Sequence, residues 1–112
     1  MDDFIVTTMN EIPGYEIVAV YGEVFGLVCR ARNVFANLSA GLRTLIGGEV
    51  PEYTQLLTDS RRNAVARLKD EAQLMGANAV IAMRFDCNEI ANLVSEIAAY
   101  GTAVRVRKQG QV

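Results

Sequence analysis

PEYTQLLTDSRRNAVARLKDEAQLMGANAV, the stretch from Pro51 to Val80, decides how the rest of the chain reads. Its first part predicts a long helix from Pro51 to about Met75. Proline suits the first helical position, where its missing N–H is no loss, and Glu52 puts negative charge against the positive end of the helix dipole. Leu57, Ala64, Leu68, Ala72 and Met75 fall on one face with Val65 beside them, while Asp59, Arg62, Asn63, Lys69, Asp70 and Gln73 fall on the other. Such a stripe has one side to bury. Gly76 stands where a helix commonly closes in a left-handed residue, and the chain then feeds a strand from Asn78 to Glu89.

Working outward, both flanks read as strand. Phe4 to Thr8 is short and β-branched, and Asn10 to Gly14 is a turn in which Pro13-Gly14 supplies a fixed φ followed by a permissive one. Tyr15 to Arg32 is a long strand, rich in Val, with apolar residues at both parities, so both of its faces need cover. Gly22 and Gly26 within it mark bends or the close approach of another backbone. Val34, Phe35, Leu38, Leu42, Leu45 and Ile46 recur at helical spacing and predict a short helix near Ala36 to Ile46, ended by Gly47-Gly48. In the third strand Ala79, Ile81, Met83, Phe85 and Cys87 share one face by simple alternation; Val80, Ala82, Arg84 and Asp86 share the other. Asn88 to Asn92 reads as a turn. Leu93 to Lys108 is a fourth strand, broken or bent at Gly101, and Gln109 to Val112 reads as a loose tail.

The order β-β-(short α)-α-β-β predicts an α+β domain spanning residues 1–112, with one long helix packed on a four-stranded, largely antiparallel sheet. One helix covers one face. Tyr21, Phe25 and Tyr100 on the other face remain to be hidden, and self-association is the expected solution for a chain of 112 residues.

Composition narrows the function classes. The chain is 51% apolar and 21% charged, with 11 basic against 13 acidic residues and a net charge of −2. No concentrated basic face points to nucleic acid or a membrane surface. The start lacks the basic and apolar regions of a signal peptide, and no apolar run reaches the roughly 18 residues of a membrane span. The two cysteines, Cys29 and Cys87, show no disulfide or C-x-x-C spacing, which fits free thiols in a cytoplasmic setting.

Four motifs, Gly22-x-Val24-x-Gly26, Gly47-Gly48-x4-Tyr53, Leu74-Met75-Gly76-Ala77-Asn78-Ala79-Val80 and Ala99-Tyr100-Gly101-Thr102-Ala103-Val104, occur in order. Together they resemble the YbjQ-like family of small bacterial and archaeal proteins of uncharacterised function, over about Ile5 to Val106. The resemblance implies a dodecin-like subunit that assembles as a ring, typically five-fold. The family carries a heavy-metal-binding label and no established reaction.

Read for themselves, the residues offer few sites. There is no histidine, which removes the commonest transition-metal ligand and any Ser-His chemistry for Ser39, Ser60 and Ser95. No catalytic residue is assigned. Cys29 and Cys87 could hold a soft divalent or monovalent metal ion if symmetry brought them together; the competing expectation is that both are small buried apolar residues. Asp86 and Glu89 match no metal motif and read as a solvated turn. The glycines around Gly41 to Gly48 lack the Gly-Lys-Ser/Thr sequence of a phosphate loop, and Glu49 and Glu52 oppose an anion there. Arg30, Arg32 and Arg43 flank the short helix. Arg61 lies near the apolar stripe, where it is expected to pair with Asp86 or Glu96 or to line a subunit boundary. Arg30 and Arg61 together make a candidate anion or intersubunit site. The expected partners are further copies of this chain and a small ligand or metal.

Overall fold

The structure is a computed structural model that describes residues 4–31, 51–90 and 94–110. Its elements are β1 (Ile5–Val6), β2 (Tyr15–Ala31), α1 (Pro51–Leu74), β3 (Ala79–Ile90) and β4 (Val94–Lys108). The four strands form one mixed sheet in the order β1-β3-β4-β2. β1 runs parallel to β3, and β4 is antiparallel to both of its neighbours. The α+β class and the largely antiparallel sheet are as expected from the sequence. The short helix predicted near Ala36 to Ile46 lies outside the described residues.

The helix stripe packs where it was expected. Ala64, Leu68 and Ala72 are buried against Val24 and Val28 of β2, Ile97, Ala99 and Ala103 of β4, and Val80 and Met83 of β3. Burying Leu68 alone contributes about 1.5–3 kcal/mol relative to leaving it exposed. The alanines bring the helix backbone down onto the sheet. At Gly26 the fit leaves no room for a side chain: a Cβ would run into the Ala64 carbonyl oxygen and lie 2.5 Å from the Leu68 nitrogen. Gly22 takes the other expected role, with φ +115° beside a register shift in the β2–β4 ladder.

The helix ends in a Schellman motif. Ala77 N–H donates to the Ala72 carbonyl (3.1 Å) and Gly76 N–H to the Gln73 carbonyl (3.0 Å), with Gly76 at φ +92°. Met75, placed by periodicity on the buried stripe, therefore falls in the cap and is exposed. Asn78 then splices the chain into the sheet. Its Nδ2 donates to the Val106 carbonyl (2.9 Å), and its Oδ1 accepts from Val106 N–H (2.8 Å). The side-chain amide thus stands in for a strand residue beside β4.

Simple alternation fails in β3. The β3–β4 register shifts between Ile81 and Arg84, and Ala82 sits at φ +53°. This bulge turns Met83 to the helix face with Val80 and Phe85, while Ile81 packs with Ala79, Val104 and Val106 on the opposite, outer face. Ile81 and Met83, expected on one face, are on two, because an extra residue inverts the parity beyond it. The bulge is held by the segment after β1: Ala82 N–H donates to the Met9 carbonyl (2.8 Å) and Met83 N–H to that of Thr7 (3.0 Å). Gly101 does not break β4, which runs through it unbroken. Its bare Cα accommodates the bulge instead, since a Cβ there would lie 2.7 Å from Val80 Cγ1.

Two boundaries also differ from expectation. The third strand, read as ending at Glu89, runs on to Ile90, so the first three residues of the turn read at Asn88 to Asn92 belong to it. Gln109, read as loose, donates its N–H to the Gly14 carbonyl (2.8 Å).

Candidate functional site

Residues paired across strands share a face, and successive residues alternate. On the helix side the rung Arg30–Ser95–Glu89 therefore follows Val28–Ile97–Cys87, which follows Gly26–Ala99–Phe85. The helix lies over these rungs. Ser60 is 0% exposed and is the buried polar side chain among the described residues. Arg30 Nε donates to its hydroxyl at 3.3 Å. The next helix residue, Arg61, sets its guanidinium 4.9 Å from the centre of the Phe85 ring, a cation–π contact worth about 0.5–1 kcal/mol when exposed. Arg30 over β2 and Arg61 over β3 thus bracket β4 on the helix face.

Among the described residues Arg107 pairs with Glu16 (2.6 Å) on exposed strand, whereas Arg61 meets neither of the carboxylates expected for it, Asp86 and Glu96. The expected partners of Arg61 are out of reach for a topological reason. Asp86 pairs with Ala98 and Glu96 with Cys29 and Asn88, all on the outer face. There Asn88 Nδ2 bridges Asp86 Oδ2 (3.2 Å) and Glu96 Oε1 (3.4 Å). Asp86 and Glu89 likewise lie on opposite faces and do not converge.

The thiols are both free and exposed, against the expectation of small buried residues. Cys29 shares the outer face with Glu96, and Cys87 shares the helix face with Ile97. With β4 between them they are two strand spacings apart, about 10 Å, and point to opposite sides. One chain cannot bring them to one ion. Among the described residues no three Cys, Asp or Glu side chains cluster as metal ligands.

Beyond the part covered by Ile12 and Tyr15, the outer face exposes apolar side chains on two adjacent rungs, bordered by Glu23, Arg84 and Asp86. Phe25 pairs with Tyr100, and Leu27 with Ala98. Phe25 is 51% exposed, Leu27 45% and Tyr100 39%, whereas Tyr21, expected on this face, brings its hydroxyl to Gly76 at the end of the helix. Among the described residues β2, which supplies most of these, is an edge strand of 17 residues, and β3 is open on its other side past the short β1. The role of Ser60 was invisible in sequence, since a serine on the stripe signals nothing until its partner is known.

A family model described as "Putative heavy-metal-binding", for YbjQ-like proteins, matches residues 4–107. The chain belongs to the YbjQ-like family. A UPF0145 protein of Lactococcus lactis subsp. cremoris is 50% identical over 108 residues, covering 96% of this chain and 99% of that one. A UPF0145 protein of Mycobacteroides abscessus is 53% identical over 103 residues, covering 92% and 96%. A crystal structure of a protein of unknown function in the DUF74 family, from Pediococcus pentosaceus, superposes with a TM-score of 0.60 at 16% identity, over 93% of this chain and 98% of that one. This likeness is one of fold. Among the described residues no helix is long and apolar enough to cross a membrane.

Proposed function

We propose that this YbjQ-like chain is the subunit of a cytoplasmic homo-oligomer, a ring of five or a pair of such rings, that takes a small ligand or ion at its subunit boundaries. The observation that carries this reading is the outer face, where Phe25 and Leu27 of the edge strand β2 stand exposed beside Tyr100 of β4. A contiguous apolar surface beside unpaired backbone groups invites another chain. The shape agrees. The radius of gyration is 17.5 Å, against about 13 Å for a compact chain of this length, so a single copy leaves much of its sheet uncovered. Light scattering on the purified protein at micromolar concentration tests it: a mass of five or ten chains is expected, and a monomer rejects the proposal.

A second reading is soft-metal binding by thiolates of neighbouring copies. It is favoured by the exposure of both Cys29 and Cys87 and by the description of the matching family model. Because the two thiols face opposite sides of the sheet, each would have to meet symmetry mates. Metal per chain after saturation with Zn²⁺ or Cu⁺ under reducing conditions, beside Cys29→Ser and Cys87→Ser, decides it. Loss of metal in either variant supports the reading; no metal in the unmodified protein eliminates it.

A further inference from the structure

We infer that Arg67 guards the free edge of β2, closing it to strand addition by another copy of this chain. The hydrogen-bond pattern shows which groups that edge presents. The Val104 carbonyl accepts from Asn78 N–H (3.1 Å) and Val106 N–H donates to Asn78 Oδ1 (2.8 Å), so the even-numbered residues of β4 turn their backbone groups toward β3. Its odd-numbered residues Gly101, Ala99 and Ile97 therefore bond their partners in β2, Val24, Gly26 and Val28. Phe25, Leu27 and Cys29 turn N–H and C=O the other way, to the side where no strand pairs with β2 among the described residues. Arg67 reaches this outward row from the helix, and its Nη1 donates to the Leu27 carbonyl. The helix lies on β2 at Gly26, against the backbone of Ala64 and Leu68, and Arg67, exposed beside Leu68, extends past the side of the strand.

The sequence explains why this point needs a guard. Val24 to Cys29 is an uncharged run without proline, closed by Glu23 and Arg30. Such a run on an open edge is a template for pairing between chains, and a charge within it is the common protection. Here the charge comes from another element and takes the middle carbonyl of the outward row. A strand added at Leu27 has to displace it. The opposite edge makes the hazard specific. β2 and β3 are both antiparallel to β4 and so parallel to each other, and among the described residues β3 is open past β1. The β3 edge of one copy can pair with the β2 edge of the next, and such head-to-tail contacts repeat into filaments unless the rotation closes them. With Arg67 in place, copies are left to meet through Phe25, Leu27 and Tyr100 on the outer face. That last step rests on the assembly proposed above; the guard itself does not.

The test follows light scattering and thioflavin T fluorescence of the full chain over time under reducing conditions. The starting mass reports on the proposed assembly, and only growth beyond it reports on the guard. Arg67→Met keeps the unbranched stem and the helix propensity but removes the donor and the charge. It is expected to start folded by circular dichroism and then to grow about tenfold faster or more than the unmodified protein. Arg67→Lys, which can still donate to the Leu27 carbonyl, restores slow growth. Arg62→Met, the same change at an exposed helix position, leaves growth at the level of the unmodified protein. A peptide of the Glu23 to Arg30 sequence, N-methylated at alternate residues, pairs with an edge but cannot be extended, so it stops the growth of Arg67→Met; a scrambled peptide with the same methylation does not. The inference is overturned by a folded Arg67→Met that keeps its starting mass, by equal growth in Arg62→Met, by growth that the methylated peptide leaves untouched, or by an Arg67→Met chain unfolded from the start, which would make Arg67 a tether of the helix rather than a guard of the edge.

Discussion

Single residues at the helix–sheet contact carry demands that polarity does not express. Gly26 is the sharpest. Its missing side chain is the space that the backbone of Ala64 to Leu68 occupies, and backbone cannot rotate away as a flexible side chain can. Gly26→Ala is expected to lower stability by about 3 kcal/mol or to prevent folding, at the upper end of overpacking effects; urea unfolding measures it. Ala82 poses the converse case. At φ +53° an alanine pays for a left-handed backbone that glycine adopts freely, while glycine loses more entropy on folding. The two effects nearly cancel, so Ala82→Gly should change stability by no more than about 0.5 kcal/mol. The same change at Ala99, buried in regular strand, should cost about 1 kcal/mol or more. Equal losses at the two positions in urea melts would show that the bulge is not where the strain sits.

At the scale of elements, the helix was legible because its stripe, its first proline and its closing glycine all point the same way. The strands were legible as strands, but their faces were not. Alternation assigns sides correctly only until a bulge, and nothing in Ile81-Ala82-Met83 announces one. The bulge is imposed from outside, by the hydrogen bonds of Met9 and Thr7 and by the space at Gly101. This is why Asp86, expected beneath Arg61, lies on the far side of the sheet. Arg30 and Arg61 could be named from the sequence, yet Ser60, which fixes one of them, needs the fold to be seen. Asn78 is another such device. It joins the helix exit to β4 by two hydrogen bonds to Val106, and Asn78→Ala leaves a partly buried N–H and C=O without that partner. A loss of about 1–3 kcal/mol is expected. Hydrogen exchange should show faster opening at Val106, and unchanged exchange there would mean that water replaces the amide without loss.

For the whole molecule the deciding question is what covers the outer face. The larger buried core lies between helix and sheet and a smaller one lies under Ile12 and Tyr15, and Phe25 takes part in neither. A charge at Phe25 should therefore leave the subunit folded while making association unfavourable, because a carboxylate carried into an apolar contact loses its hydration without compensation. Phe25→Glu is expected to give a protein with unchanged circular dichroism and the mass of one chain by light scattering. Concentration provides an independent readout. If the subunits stabilise one another, the melting temperature of the unmodified protein rises with concentration, since association draws the folded state forward by mass action. That dependence should vanish in Phe25→Glu. Tyr100, the cross-strand neighbour of Phe25, should behave alike when changed to Glu, whereas Ile17→Glu, on the same edge strand nearer the covered end, tests how far the contact extends. A Phe25→Glu protein that keeps the mass and the concentration dependence of its parent would move the contact off this face, leaving the open edge of β3 as the surface to probe next.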